Sequence, residues 1–153
     1  MIIISAMTRD RVIGAGAGMP WSVPAEYRHF LDTVRGQTVI MGRRSFEIFG
    51  ADLGDSHMVV VSRSTDAVAG AEVAGGIEEA LERAQHHGTE IYSAGGASIY
   101  RQTIPLADTM VLSYIDGDYR GDTYFPDFDE RLWPVAQRER REGYELVIYR
   151  RTA

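Results

Sequence analysis

Gly14-Ala-Gly-Ala-Gly18-Met19-Pro20-Trp21-Ser22-Val23-Pro24-Ala25-Glu26 joins an extended segment to a helix. Its closely spaced glycines leave the backbone wide freedom, and Pro20-Trp21 gives the loop a stiff corner. Pro24 suits the first turn of a helix, where its missing N–H costs little. Ser22 stands where a capping hydroxyl belongs. The helix is predicted to run to about Arg35, because Val23, Tyr27, Phe30, Leu31 and Val34 recur at helical spacing and Gly36 stops it. Upstream, the β-branched run Ile2–Met7 reads as a buried central strand, and Val12-Ile13 as a short extended pair. Strand, glycine loop and helix in that order begin an α/β fold.

The same grammar repeats downstream. Thr38–Met41 is a second apolar strand, and Gly42-Arg43-Arg44-Ser45-Phe46-Glu47 turns it at once into a helix. Met58–Val61 is a third strand, ending in Ser62-Arg63-Ser64. Ala71–Ala74 reads as a minor strand. Ile77–His87 reads as an amphipathic helix with Ile77, Ala80, Leu81 and Ala84 inward. Glu90–Ala94 is a strand, and Gly95-Gly96-Ala97-Ser98-Ile99-Tyr100 opens a helix that Pro105 ends. Thr109–Ile115, Trp133–Arg138 and Tyr144–Arg151 are late strands, the last two a hairpin about Glu142-Gly143. The predicted architecture is a single α/β domain over residues 1–153. A central, mostly parallel eight-stranded sheet has an antiparallel C-terminal edge and about four flanking helices.

Composition narrows the function. A chain of 153 residues is long enough to bury one core. It contains no apolar run long enough to cross a membrane. Met1–Met7 is too short, and lacks the basic lead, for a signal peptide. The absence of cysteine excludes disulfides, zinc-thiolate sites and a thiol nucleophile, and a cytoplasmic setting is expected. Net charge is −6, and the basic block Arg138-Glu-Arg-Arg141 stands alone, which argues against a nucleic-acid surface. The expected partner is a small molecule, and the expected state a monomer.

Glu26 is a lone acid among Trp21, Val23, Tyr27 and Phe30. Desolvation there raises a carboxyl pKa, which suits an acid that hydrogen-bonds a polar heterocycle near neutral pH. A solvated acid at a helix start fits this stretch alone equally well. Gly42 with Arg43 and Arg44 offers close backbone approach and positive charge to an anion. Ser62-Arg63-Ser64 lies at a strand's carboxyl end, where open α/β sheets bind ligands. Gly95-Gly96 is a further backbone cradle. The G-x-G-x-x-G dinucleotide fingerprint is absent. So are a P-loop and a metal-binding carboxylate cluster, which disfavours a nucleotide hydrolase or kinase, and no metal is expected. His86-His87 reads as solvation of a helix end rather than a metal site.

Five motifs occur in order between Ile2 and Arg150. They are Asp10-Arg-Val-Ile-Gly14, Met19-Pro-Trp21 with Pro24-Ala-Glu26, Val39-Ile-Met-Gly-Arg43, Gly95-Gly96 with Tyr100, and Gly121-Asp-Thr-Tyr-Phe-Pro126. Together they resemble the dihydrofolate reductase family. The resemblance implies NADPH-dependent reduction of 7,8-dihydrofolate to 5,6,7,8-tetrahydrofolate, with hydride to pterin C6 and a proton to N5. It implies that Glu26 binds pterin N3 and the 2-amino group, helped by Ser113. Trp21 would hold a water beside that acid, and Met19 would lie in a lid-like loop closing against the loop of Asp122. Ile4, Ser5, Ala6, Tyr27, Phe30, Phe49 and Leu53 would line the pterin pocket. Ala6, Ile13, Gly42, Arg43, Arg44, Ser45, Ser62, Arg63, Gly95, Gly96, Ala97 and Tyr100 would form the cofactor side. Three arginines at one end of that groove favour a 2′-phosphate, hence NADPH over NADH.

The chain departs from the pattern at four places. Ser56 stands where the resemblance implies an arginine for the α-carboxylate of the glutamate tail, and Asp55 precedes it. Tyr27 is bulkier than the leucine common there and narrows the pocket. Ala97 replaces a third glycine, and Ser98 replaces a basic residue. Two other readings follow from these departures. One is a reductase of another dihydropterin or related heterocycle without a tail. The other is a non-catalytic NADPH- or pterin-binding module.

Overall fold

The computed structural model describes residues 1–14, 18–64 and 68–152. The alternation seen in the sequence becomes β1 (Ile2–Met7), β2 (Val12–Gly14), α1 (Pro24–Val34), β3 (Thr38–Gly42), α2 (Arg43–Phe49), β4 (His57–Val61) and β5 (Glu72–Ala74). Then come α3 (Ile77–Gln85), β6 (Ile91–Ser93), α4 (Ala97–Thr103), β7 (Thr109–Ile115), β8 (Thr123–Tyr124), β9 (Val135–Arg141) and β10 (Tyr144–Arg150). Single 3-10 turns cover Gly50–Asp52 and Ile104–Leu106.

Eight strands pair in the order β5-β4-β3-β6-β1-β7-β10-β9. Pairing is parallel as far as β7, and antiparallel from β7 to β10 and from β10 to β9. This is the expected mostly parallel sheet with an antiparallel C-terminal edge. β1 is central because it is apolar on both faces. Ile3 packs with Leu112, Tyr100, Phe125 and Val147, while Ile4 packs with Val34, Val39, Met41 and Val60. Ile40, Val59, Ala80 and Ala84 form a third cluster under α3. At the outer edge β9 is exposed and charged, with Arg138 bonded to Glu145 and Arg140 to Asp116. Among the described residues, no helix is long and apolar enough to cross a membrane.

Parallel pairing sends the carboxyl ends of β1, β3, β4 and β6 to one end of the sheet, where α/β proteins bind ligands. β3 and β6 are neighbours there. The Gly42 N–H donates to the Gly95 carbonyl at 2.8 Å, and the Ala94 N–H to the Ile40 carbonyl at 2.9 Å. The two glycine turns read separately in the sequence therefore meet.

Some local expectations need correction. Ser22 does not cap α1: the residue before the helix is Val23, and no side chain caps it. The Val23 carbonyl instead accepts the N–H groups of Glu26 and Tyr27 at 3.0 and 3.1 Å. α3 ends at Gln85, so neither histidine lies inside the helix. His87 stacks on His57 at 4.1 Å and bonds Glu72 at 2.7 Å, which ties β4, β5 and the end of α3 together. Trp133 stands outside β9 because Pro134 intervenes without an N–H. It is buried, with the Arg151 guanidinium 4.8 Å above its ring. Residues 15–17 of the glycine loop lie outside the described residues.

β2 and β8 form a separate two-stranded ladder that anchors the start of that loop. The Asp122 N–H donates to the Gly14 carbonyl at 3.0 Å. A Cβ on Gly121 would sit 2.2 Å from the Gly14 oxygen and 2.5 Å from Val12 Cγ1. Gly121→Ala is therefore expected to push β8 off β2 and to lower stability by about 1–3 kcal/mol. Urea unfolding checks this, and an unchanged midpoint would refute the tight contact.

Candidate active site

Glu26 lies in the first turn of α1 with 6% of its surface exposed. Its neighbour is set by sheet register: Ala6 of β1 pairs with Ser113 of β7, whose hydroxyl hydrogen-bonds the carboxyl group. Burial dominates and pushes the carboxyl from the ordinary 4.5 to about 7, with the Ser113 bond pulling the other way. Tyr100 of α4 reaches the same pocket. Its hydroxyl donates to the Ile4 carbonyl at 2.8 Å, and burial raises its ionisation well above the usual range.

Three adjoining cavities surround this centre. The first, ≈ 620 Å³, is a groove bounded by Gly42, Arg43, Arg44, Ser45, Ser62, Arg63, Gly96, Ala97 and Ile13. The second, ≈ 80 Å³, holds Glu26 with Ile4, Ser5, Ala6, Tyr27, Phe30, Phe49 and Tyr100. The third, ≈ 340 Å³, lies between Trp21, Glu26, Tyr27, Ile48 and Asp52. Met19 and Phe49 line all three. Trp21 meets Tyr119 edge-on, with ring centroids 6.0 Å apart, and this holds the corner that carries Met19.

The groove suits a phosphorylated dinucleotide. Arg44 and Arg63 face it, and Arg43 does so while paired with Glu47 at 3.2 Å. Gly95 has φ +91°, and a Cβ there would stand 2.7 Å from the Tyr100 ring. At Gly96 the nearest atom to such a Cβ is Ser45 Oγ, 3.9 Å away, so a side chain would occupy the groove itself. Glycine at Gly96 lets the backbone form the groove wall, and glycine at Gly95 leaves room for the Tyr100 ring behind it.

The structure thus gathers nearly all residues singled out from the sequence. Ala6 and Tyr100, expected on the cofactor side, line the pocket of Glu26 instead of the groove, and three others stand behind the walls. Ser113 supports Glu26 from β7, Gly95 backs Gly96, and Leu53 belongs to the core beneath Phe30 and Phe49. Ser56 donates its hydroxyl to the Val34 carbonyl at 2.7 Å. Sequence reasoning missed Gly75, Gly76, Ile48, Gln102 and Thr123 on the groove. Gly75-Gly76 repeats the strand–glycine–helix signature of the other two turns and was legible in those terms. Ile48 and Gln102 follow Ser45 and Ser98 by one helical turn, a signal visible only once those faces are known. Among the described residues, no group of three or more metal-ligating side chains forms.

A parallel sheet whose carboxyl ends join an arginine-lined groove to a pocket with a buried acid defines a nucleotide-dependent enzyme acting on a small polar ring. Against protein families, residues 1–151 match the one described as Dihydrofolate reductase. Dihydrofolate reductase HdrB of Haloferax volcanii is 33% identical, covering 98% of this chain and 82% of its own. Dihydrofolate reductase type 3 of Salmonella typhimurium is 38% identical, covering 89% and 84%. A solved structure, the Enterococcus faecalis dihydrofolate reductase complexed with NADP(H) and RAB-propyl, superposes with a TM-score of 0.88 at 25% identity, over 99% of this chain and 96% of that one. The chain belongs to the dihydrofolate reductase family.

The buried acid has a stability consequence. The folded carboxyl titrates near 7 and the ordinary one at 4.5, so the folded state holds this proton more tightly. The contribution is most favourable below about pH 4.5, declines as pH rises, and levels off above about 7. The full difference is about 3 kcal/mol. Glu26→Gln is expected to be the more stable protein at about pH 8 and to lack this slope. Urea unfolding across that range checks it, and parallel pH profiles for the two proteins would refute it.

Proposed function

We propose that this chain carries out the NADPH-dependent reduction of 7,8-dihydrofolate to 5,6,7,8-tetrahydrofolate, with Glu26, Trp21 and Met19 at the reacting centre. The observation that carries this assignment is the buried Glu26 carboxyl, poised near pH 7 beside an arginine-lined groove. Its family membership and the relatives' names support the same reading. Two oxygens of one carboxyl match the paired donors of a 2-amino-pterin, N3–H and the amino group. Ser113 keeps one oxygen oriented. Ser5, Ala6 and Phe30 give the ring flat, largely apolar walls.

Arg43, Arg44, Arg63, Ser62 and the backbone at Gly42 and Gly96 would hold NADPH. When bound, it supplies the hydride for pterin C6. The protein's own work is orientation and proton control. Glu26 draws on the ring's donors and favours protonation at N5, and Trp21 lines the space where a water beside that acid would stand. Met19 is common to all three cavities and would shield them from solvent when ligands are bound. Residues of one chain complete the site, so action as a monomer is part of the assignment, and the cytoplasm is its proposed setting.

NADPH oxidation followed by absorbance with dihydrofolate tests the assignment. Glu26→Gln should lower hydride transfer by about a hundredfold or more while NADPH binding persists, since Glu26 is not on the groove. With the acid intact, the rate should fall as pH rises through about 7, where the carboxyl loses its proton. A rate independent of pH across that range would remove Glu26 from proton control. Arg63→Ala should raise the Kd of NADPH about tenfold more than that of NADH. Equal losses for the two nucleotides would refute recognition of the 2′-phosphate by Arg63.

A further inference from the structure

Dihydrofolate bears a p-aminobenzoyl-glutamate tail on its pterin, and that tail has to leave the pocket of Glu26. At ≈ 80 Å³ the pocket adjoins the groove assigned to the dinucleotide and the third cavity of ≈ 340 Å³. The third cavity is therefore the way out. Its walls are the segment Met19–Val23, the start of α1, and Ile48, Phe49 and Asp52, and the Tyr27 hydroxyl donates to the Asp52 carboxylate across it. Burial and the adjacent carboxylate both keep the phenol protonated, so it is the donor to Asp52. Inside this bond, the Tyr27 ring packs 6.2 Å from Phe30 and 6.1 Å from Phe49. Outside it, Tyr27 borders a shallow surface groove along α1 that carries Arg28, Asp32 and Arg35, the last paired with Asp32 at 2.9 Å. A tail thus meets the closed hydrogen bond first and a groove of mixed charge beyond it.

We propose that the Tyr27–Asp52 hydrogen bond is a latch across the tail's exit, so that Asp52 sets the discrimination between tailed and tail-less dihydropterins. This rests on the assignment of Glu26 as the pterin-binding acid. A tailed substrate has to break the bond on entering, and a tail-less one fits behind it. Asp52 is exposed and follows α2, whereas Glu26 lies in α1 and takes its side-chain hydrogen bond from Ser113.

Steady-state kinetics with NADPH, comparing dihydrofolate with 6-methyl-dihydropterin, tests the latch. Asp52→Ala is expected to lower KM for dihydrofolate about fivefold and to raise the ratio of kcat/KM for dihydrofolate over that for the tail-less substrate by about the same factor. Asp52→Asn removes the charge but keeps an acceptor for Tyr27, and should shift KM by less than about twofold. If Asp52→Asn matches Asp52→Ala, the charge of Asp52 and not the bond controls the tail, and the latch is overturned. It is equally overturned if both substrates shift alike or if neither shifts. Failure of the parent enzyme to reduce either substrate would overturn the functional assignment itself, and the latch with it.

Discussion

A carboxyl group held out of water is the constraint on which the site depends. Glu26 gains one hydroxyl partner and loses nearly all contact with solvent, and the second effect wins: its pKa rises to about 7. Such a position is tolerated only where the surrounding structure is rigid. Here rigidity comes from the central strands. β1 supplies Ile4, Ser5 and Ala6 as one wall, β7 supplies Ser113 from below, and Tyr100 is fixed to the Ile4 carbonyl. Their fully buried neighbours Ile3, Met110 and Leu112 leave no room for these strands to shift.

The groove is built on a different principle. Backbone approaches backbone where β3 and β6 end, and glycine is what allows it. The acid pocket is made by side chains in register, and the groove by the lack of them. Adjacent strand ends bring the two together. β6 inserts between β1 and β3, so a turn from the middle of the chain stands between two from its first third.

Much of this was legible from residues alone. Apolar runs bounded by glycine gave the strands, and Thr109–Ile115 is a strand over just those residues. Glu26 was legible only together with the other motifs, because its own stretch fits a solvated acid at a helix start equally well. Illegible features depend on distant partners. Nothing near Ser22 reveals that the Val23 carbonyl serves the first turn of α1 without a side-chain cap. Nothing near His87 reveals His57, thirty positions earlier, stacked against it. Leu53 has the size and position of a pocket residue, but it is buried in the core cluster that Phe30 and Phe49 pack against. The bond from Tyr27 to Asp52 joins an expected pocket residue to an exposed acid that nothing in the sequence singled out, and only the fold brings them together.

Met19 and Phe49 belong to every compartment of the site. Two ligands that share walls cannot bind as strangers. Any rearrangement of these side chains that one ligand favours is felt by the other as a change in affinity. Linkage makes that influence equal in both directions. The wall between the compartments is therefore also a thermodynamic coupling, through which occupancy on one side can hasten or delay departure from the other.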